Sequence, residues 1–179
     1  LMEKGAKFDL ENEGYNLNKE GGHSKHRIFH TGDTTGKAIM KILVERIMKN
    51  KNIKVYENHI AIDLITGKKL KKEKLNTCYG FYIYDIKNDF VKTVITQGTF
   101  VATGGLGKAF LYTSNSDIST GDGFAMCYRA GLTLANMEFI QFHPTVFYDT
   151  NATKEGERIF LLTEALRGAG AILKLSKDS

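Results

Sequence analysis

Gly98-Thr-Phe-Val-Ala-Thr-Gly-Gly-Leu-Gly107 is a short apolar run that empties into a glycine turn. A strand ending this way lets backbone amides approach a phosphate or a ribose, because glycine carries no Cβ to hold the ligand off. It is not the full dinucleotide fingerprint of a first βα turn, and nothing earlier in the chain supplies one. The next segment, Ser119-Thr-Gly-Asp-Gly-Phe-Ala-Met-Cys-Tyr-Arg-Ala-Gly131, reads as a capped helix ended by glycine. Asp122 stands near its start, where the helix dipole favours a carboxylate and where an acceptor can meet a cofactor hydroxyl or amide. Strand, glycine turn and helix make the fold α/β.

Downstream, Asn136-Met-Glu-Phe-Ile-Gln-Phe-His-Pro-Thr145 carries Pro144, the only proline in the chain. The residue before a proline is pushed toward extended geometry, so His143 is expected on an extended segment. Alternation would then place Gln141, His143 and Thr145 on one face and turn Phe142 into apolar packing. Such a donor-rich row suits an anionic ligand, whereas a lone histidine at a strand end is more often a satisfied core residue. In Ile159-Phe-Leu-Leu-Thr-Glu-Ala-Leu-Arg-Gly-Ala-Gly170, Thr163 is a natural N-cap for a short helix closed by Gly168. The amides at that helix start and the Thr163 hydroxyl suit a carboxylate, with Glu164 as an acceptor for the same ligand. Plain capping accounts for the pattern equally well.

Upstream, Thr34–Lys49 is expected to be a helix that a threonine at its start can cap. Ile39, Met40, Leu43, Val44 and Ile47 recur at helical spacing, and this stripe reads as core. Strands are expected at Ile53–Glu57 and Ala61–Ile65, so that helix, turn and strand form half of an α/β unit. Cys78–Asp85 and Phe90–Ile95, joined by Ile86–Asp89, read as antiparallel neighbours in a small meander. Residues 1 to 35 are broken by glycines and read as irregular. They hold Glu20-Gly-Gly-His-Ser-Lys-His-Arg-Ile-Phe-His30, whose double glycine suggests backbone brought close to a flat ligand. His23, His26 and His30 invite a zinc reading, but Lys25 and Arg27 between them penalise a cation, and no metal is expected.

The chain has 179 residues, 42% of them hydrophobic, enough for one sizeable core or one domain and the start of another. No apolar run approaches the roughly 18 residues that span a membrane, and no signal peptide is visible at the N-terminus. The first residue is Leu1, which suggests a chain cut from something longer. Cys78 and Cys127 do not make a disulfide framework and fit the cytoplasm. The net charge of +5 owes much to Lys68-Lys-Leu-Lys-Lys-Glu-Lys74. Bracketed by Gly67 and Asn76 and free of aromatics, that run reads as a solvated loop rather than a nucleic-acid contact.

Asp33-Thr-Thr-Gly36, Ala102-Thr-Gly-Gly105, Thr120-Gly-Asp-Gly123, Glu138-Phe-Ile-Gln-Phe-His-Pro-Thr145 and Thr163-Glu-Ala-Leu-Arg-Gly168, in this order, resemble the succinate dehydrogenase, fumarate reductase and L-aspartate oxidase flavoprotein family. Within it, the Glu20–His30 segment resembles the L-aspartate oxidase branch. The resemblance implies part of an FAD-binding Rossmann-like domain over residues 1–140, with the small meander, and the start of an α+β capping domain over 141–179. It implies oxidation of L-aspartate to iminoaspartate by non-covalent FAD, with oxygen or fumarate as acceptor. It also implies a place in quinolinate and NAD formation and a link to quinolinate synthase. No membrane or nucleic-acid partner is implied.

By the same resemblance, Ala61, Thr103, Gly104 and Asp122 contact FAD. His143, Thr163 and Glu164 hold the substrate carboxylates with Gln141 beside them, and Glu20 can pair with the substrate ammonium. None of Arg27, Arg46, Arg129, Arg158 or Arg167 stands in the Arg-Asp-x-x-x-Arg context that carries the family's proton-transfer arginine, so the chain alone is expected to be inactive. Ala169 replaces an acidic residue usual between the glycines, and Asn115-Ser116 replaces an Asn-Pro pair. Two other readings remain: a soluble fumarate reductase or succinate dehydrogenase segment, and a catalytically dead interaction domain using Lys68 to Lys74.

Overall fold

The structure, a computed structural model, describes residues 1–71, 75–148 and 159–176. The chain divides into two compact units, Leu1–Val55 with Leu162–Ser179, and Tyr56–Leu161.

In the first unit, a 3-10 turn at Met2–Lys4 precedes two short antiparallel ladders. These pair β1 (Leu10–Glu11) with β2 (Gly14–Tyr15), and β3 (Leu17–Asn18) with β4 (Ile28–Phe29). Phe29 stacks edge-on against both Phe8 and Tyr15, giving the ladders a small aromatic seam. Helix α1 (Thr35–Lys49) follows the expected span. Thr34 occupies its N-cap position, but its side chain makes no cap bond; the Thr35 hydroxyl accepts from the Thr31 N–H instead. The apolar stripe of α1 is not core. Ile39 and Leu43 are half-buried, while Met40, Val44 and Ile47 are exposed, because the described residues lay too little over this face. Within its unit the helix is tied down by Arg46, whose Nε donates to the Lys4 carbonyl.

The second unit is built on the expected meander. β5 (His59–Thr66), β6 (Cys78–Asp85) and β7 (Phe90–Ile95) form one antiparallel sheet in that order. Helix α2 (Asp122–Arg129) packs on β5. Met126 and Ala130, four residues apart on one helical face, meet Leu64, with Cys78, Phe81 and Cys127 around them. Burial of a side chain the size of Met126 or Leu64 contributes about 1.5–3 kcal/mol. The helix ends as its glycine predicts: Gly131 is left-handed at φ +90° and the Leu132 N–H returns to the Cys127 carbonyl. Asn76 Nδ2 adds a bond to the Ala130 carbonyl. Gly67 and Asn76 do bracket the lysine-rich loop, through Gly67 N–H to Thr77 O and Lys68 N–H to Asn76 Oδ1; Lys72, Glu73 and Lys74 lie outside the described residues.

A charged cluster pins the meander's tip. Asp85, 2% exposed, takes Lys92 Nζ at 2.5 Å and Asn88 Nδ2 at 2.9 Å, with His59 Nε2 at 3.4 Å. The Lys92 and Asn88 hydrogen bonds hold its carboxyl well below the usual carboxylate range, outweighing burial. Asp63 is pushed up by burial but held lower overall by Lys69, the Leu64 amide and Arg129.

Two expected strands are absent. Ile53–Glu57 and Gly98–Ala102 belong to no sheet, since extended residues become a strand only beside a partner and none stands there among the described residues. All strand pairings among the described residues are antiparallel, including β8 (Val146–Phe147) with β9 (Phe160–Leu161). The half α/β unit read into α1 and Ala61–Ile65 is therefore replaced by a helix followed by an antiparallel meander. Last comes α3 (Glu164–Gly168).

Candidate functional site

Three groups of predicted residues are assembled locally. The first is the glycine turn. Thr103 and Gly104 line a cavity of about 300 Å³ with Val101, Gly123, Cys127 and Leu134. Gly104 has φ +73°, and nothing lies within 4 Å of where its Cβ would stand. Gly123 is the opposite case: buried in the first turn of α2, it lies where a Cβ would overlap Thr103 Oγ1. One glycine leaves open space, and the other lets the turn and the helix close on each other. Asp122 is the exposed first residue of α2, beside this cavity's wall at Gly123 but not among its lining. Ala61 lies on β5 opposite Ile83 and does not line the cavity.

The second group surrounds His143. Gln141 and His143 line a cavity of about 200 Å³ together with Gly107, Thr113, Asn115 and Ile159. The His143 Nδ1 stands 3.2 Å from the Thr145 N–H and 2.8 Å from the Thr145 carbonyl. Thr145 can thus satisfy Nδ1 as acceptor or as donor, which leaves Nε2–H available in the tautomer that accepts from the amide and in the imidazolium. Phe142, expected in apolar packing, is instead 83% exposed and borders the same cavity. The segment lies outside any strand, so no pleat forces neighbouring side chains to opposite faces.

The third group joins distant parts of the sequence. Thr163 caps α3, its Oγ1 accepting from the Ala165 N–H at 3.3 Å as expected. Closure comes later than Gly168: Gly170 takes the left-handed conformation at φ +93°, and the Ala171 N–H bonds the Leu166 carbonyl. Gly168 serves close approach instead, since a Cβ there would overlap the Lys19 carbonyl oxygen and reach within 3.2 Å of Glu20 Cα. On the other side, a Cβ at Gly21 would stand 2.8 Å from Glu164 Oε2 and 3.1 Å from Arg167 Cβ. The double glycine therefore seats the Glu20 loop on α3 through Gly21. Glu20 itself is exposed, in a turn where His23 N–H bonds the Glu20 carbonyl. Glu164 pairs with Arg167 Nε at 3.6 Å, so Arg167 braces the helix.

The three histidines near this loop have separate partners. His23 Nδ1 faces the Glu20 N–H, His26 Nδ1 the Leu17 carbonyl, and His30 Nδ1 the Asp9 carboxylate at 3.2 Å. Among the described residues no group of three His, Cys, Asp or Glu side chains is placed to hold a metal. Sequence reasoning missed Thr113 and noted Asn115 only as part of a turn, with no role in the site. A signal for both is the turn chemistry of Thr-Ser-Asn, in which the Thr113 hydroxyl accepts the Asn115 N–H.

Residues 1–178, nearly the whole chain, match the FAD binding domain family. The chain is 49% identical to an L-aspartate oxidase of Acinetobacter baylyi over 98% of this chain and 32% of that protein. It is 48% identical to L-aspartate oxidase 1 of Ralstonia nicotianae, over 90% and 29%, and 42% identical to a chloroplastic L-aspartate oxidase of Arabidopsis thaliana, over 97% and 27%. The chain thus spans about a third of the length of these relatives. Among solved structures it resembles Mycobacterium smegmatis Sdh1 with TM-score 0.74 and 32% identity, covering 93% of this chain and 28% of that one. It also resembles E. coli quinol fumarate reductase FrdA with TM-score 0.72 and 25% identity, covering 80% and 24%.

Proposed function

Because the chain belongs to the FAD binding domain family, we propose that it is a segment of an FAD-dependent oxidase that converts L-aspartate to iminoaspartate. The residues present fit the cofactor: the turn at Gly104 is open above its Cα, and the cavity beside it is walled by apolar Val101 and Leu134. Thr103 and Gly104 would hold it there, with Asp122 at the start of α2 and Ala61 on β5 as further contacts by resemblance. FAD, held without a covalent link, supplies the acceptor for the hydride that leaves the substrate α-carbon.

The observation that carries the aspartate reading is the Gly21–Gly168 interlock, which keeps the Glu20 loop on the helix that Thr163 caps. Substrate recognition then follows from the donor and acceptor inventory. Thr163 Oγ1 already accepts from Ala165, so its hydroxyl hydrogen is the part left for a substrate carboxylate. His143 offers Nε2–H to a carboxylate, with Gln141 lining the same cavity. Glu164 orients its neighbours, and Glu20 pairs with the ammonium that distinguishes aspartate from succinate.

Residues 1–140 are the later part of a Rossmann-like FAD domain and 141–179 the opening of an α+β capping domain; limited proteolysis of the full-length protein near residue 140 tests that boundary. Oxygen or fumarate reoxidises the flavin, and iminoaspartate feeds quinolinate formation on the way to NAD, in step with quinolinate synthase. The free thiols of Cys78 and Cys127 suit the cytoplasm. Similarity to Sdh1 and FrdA supports a second reading, a succinate or fumarate flavoprotein. Turnover of L-aspartate and of succinate by the full-length protein decides: oxidation of succinate alone rejects the aspartate reading. A full-length protein without flavin colour points instead to an interaction domain.

A further inference from the structure

The Gly104–Gly107 turn and the His143 cavity share one wall. The segment after the turn grips it: Gly121 N–H bonds the Gly105 carbonyl at 3.2 Å, Lys108 N–H bonds the Ser119 carbonyl at 2.9 Å, and Lys108 Nζ pairs with Asp117 at 2.7 Å. Asn115 adds a side-chain contact. Its carboxamide lies so close to Gly107 that a Cβ there would overlap Nδ2. The carboxamide is itself oriented by Nδ2 donating to Thr113 Oγ1 at 3.3 Å, and Thr113 is 8% exposed with its carbonyl accepting from the Ile159 N–H. Gly107, Thr113, Asn115 and Ile159 all line the cavity with His143. Asn115 is thus the gripping side chain that belongs to both places.

We propose that Asn115 is a positioning residue, whose carboxamide sets the glycine turn at the cofactor cavity relative to His143 at the substrate cavity. The role rests on the function proposed above. A shift of about 1 Å between acceptor and donor costs on the order of 100-fold in rate while barely changing how tightly each is held. The role assigned to Asn115 runs through its contact with Gly107.

The test uses the full-length holoenzyme. Asn115→Ala is expected to lower kcat roughly 10- to 100-fold, with KM for L-aspartate within about twofold and flavin content unchanged. Gly107→Ala forces the same contact apart and should lower kcat likewise. The double variant should be no worse than Gly107→Ala alone, because removing the carboxamide removes the obstacle. Asn115→Asp keeps the shape but loses the hydrogen to Thr113, and a smaller fall in kcat at constant KM is expected; it serves where the alanine variant does not fold. A kcat unchanged in Asn115→Ala overturns the role, as does a loss of flavin in proportion to activity. Wild-type protein that oxidises neither L-aspartate nor succinate overturns the functional reading together with this one, whereas an active wild type matched by its variant overturns only the role of Asn115.

Discussion

Gly21 lies against the carboxylate of Glu164 so closely that a methyl on its Cα would stand 2.8 Å from Oε2. The flexible end of Glu164 can yield, but Arg167 Cβ, at 3.1 Å from the same methyl, is fixed to the backbone of α3. Gly21→Ala should therefore lift the Glu20 loop off the helix, at a cost of about 1–3 kcal/mol from overpacking. The expected kinetic signature in the full-length protein is a raised KM for L-aspartate with flavin content retained. An unchanged KM in steady-state assays would show that the interlock does not shape the substrate site.

Gly123 makes the matching prediction for the cofactor. A Cβ there overlaps Thr103 Oγ1 and approaches Val101 Cγ1 within 3.0 Å, and both neighbours wall the cavity beside Gly104. Gly123→Ala should widen that cavity by pushing the turn outward. Flavin bound per protein after gel filtration is expected to fall, and added FAD should restore activity in part. Retained stoichiometric flavin would disconnect this cavity from the cofactor.

The Asp85 cluster gives a pH dependence with a definite sign. Its folded-state carboxyl is held below the usual range, chiefly by Lys92 and then Asn88. A depressed carboxylate contributes stability that is present above its unfolded pKa of about 3.9 and is lost as pH falls toward the folded value. Asp85→Asn removes that contribution. Thermal melts of the full-length protein and variant should differ most near neutral pH and converge as pH falls below about 4. A gap that stays constant into acid would assign the effect to packing alone.

The meander was legible because Cys78–Asp85 and Phe90–Ile95 are two runs rich in aromatic and β-branched residues, one short turn apart. α1, α2 and α3 were legible for a similar reason: helical spacing and the Thr163 cap are local. What failed was whatever depends on a neighbour. Ile53–Glu57 and Gly98–Ala102 have strand composition, yet composition is silent about whether a second strand stands beside them. Phe142 was assigned to packing by an alternation that only a pleated sheet enforces, and it is exposed.

The candidate site shows the same division. The double glycine after Glu20 signalled close approach, but the absence of a Cβ does not say what approaches, and at Gly21 it is the protein's own α3. The Asp85 cluster was invisible because His59, Asp85 and Lys92 meet only through the register of three strands. His143 was found by its proline neighbour. Asn115 was noted in a turn but given no role, because its contact with Gly107 appears only once the turn is folded.

Glu20 carries the last prediction, because the proposed function gives it the task of separating aspartate from its relatives. Succinate and fumarate share both carboxylates with aspartate and lack the ammonium, so a residue that reads the ammonium must act on aspartate alone. Glu20 is exposed and takes no part in an ion pair among the described residues, which leaves its charge for a ligand. Glu20→Gln keeps the length and hydrogen-bonding capacity of the side chain and removes the charge. Loss of one charge-assisted hydrogen bond is worth about 1.5–3 kcal/mol, which corresponds to roughly 10- to 150-fold in binding. Aspartate affinity in the full-length protein, followed by flavin difference spectra, should fall by that order while succinate and fumarate affinities change by less than about threefold. Equal weakening of all three dicarboxylates would mean that Glu20 supports the pocket's shape rather than reading the amine.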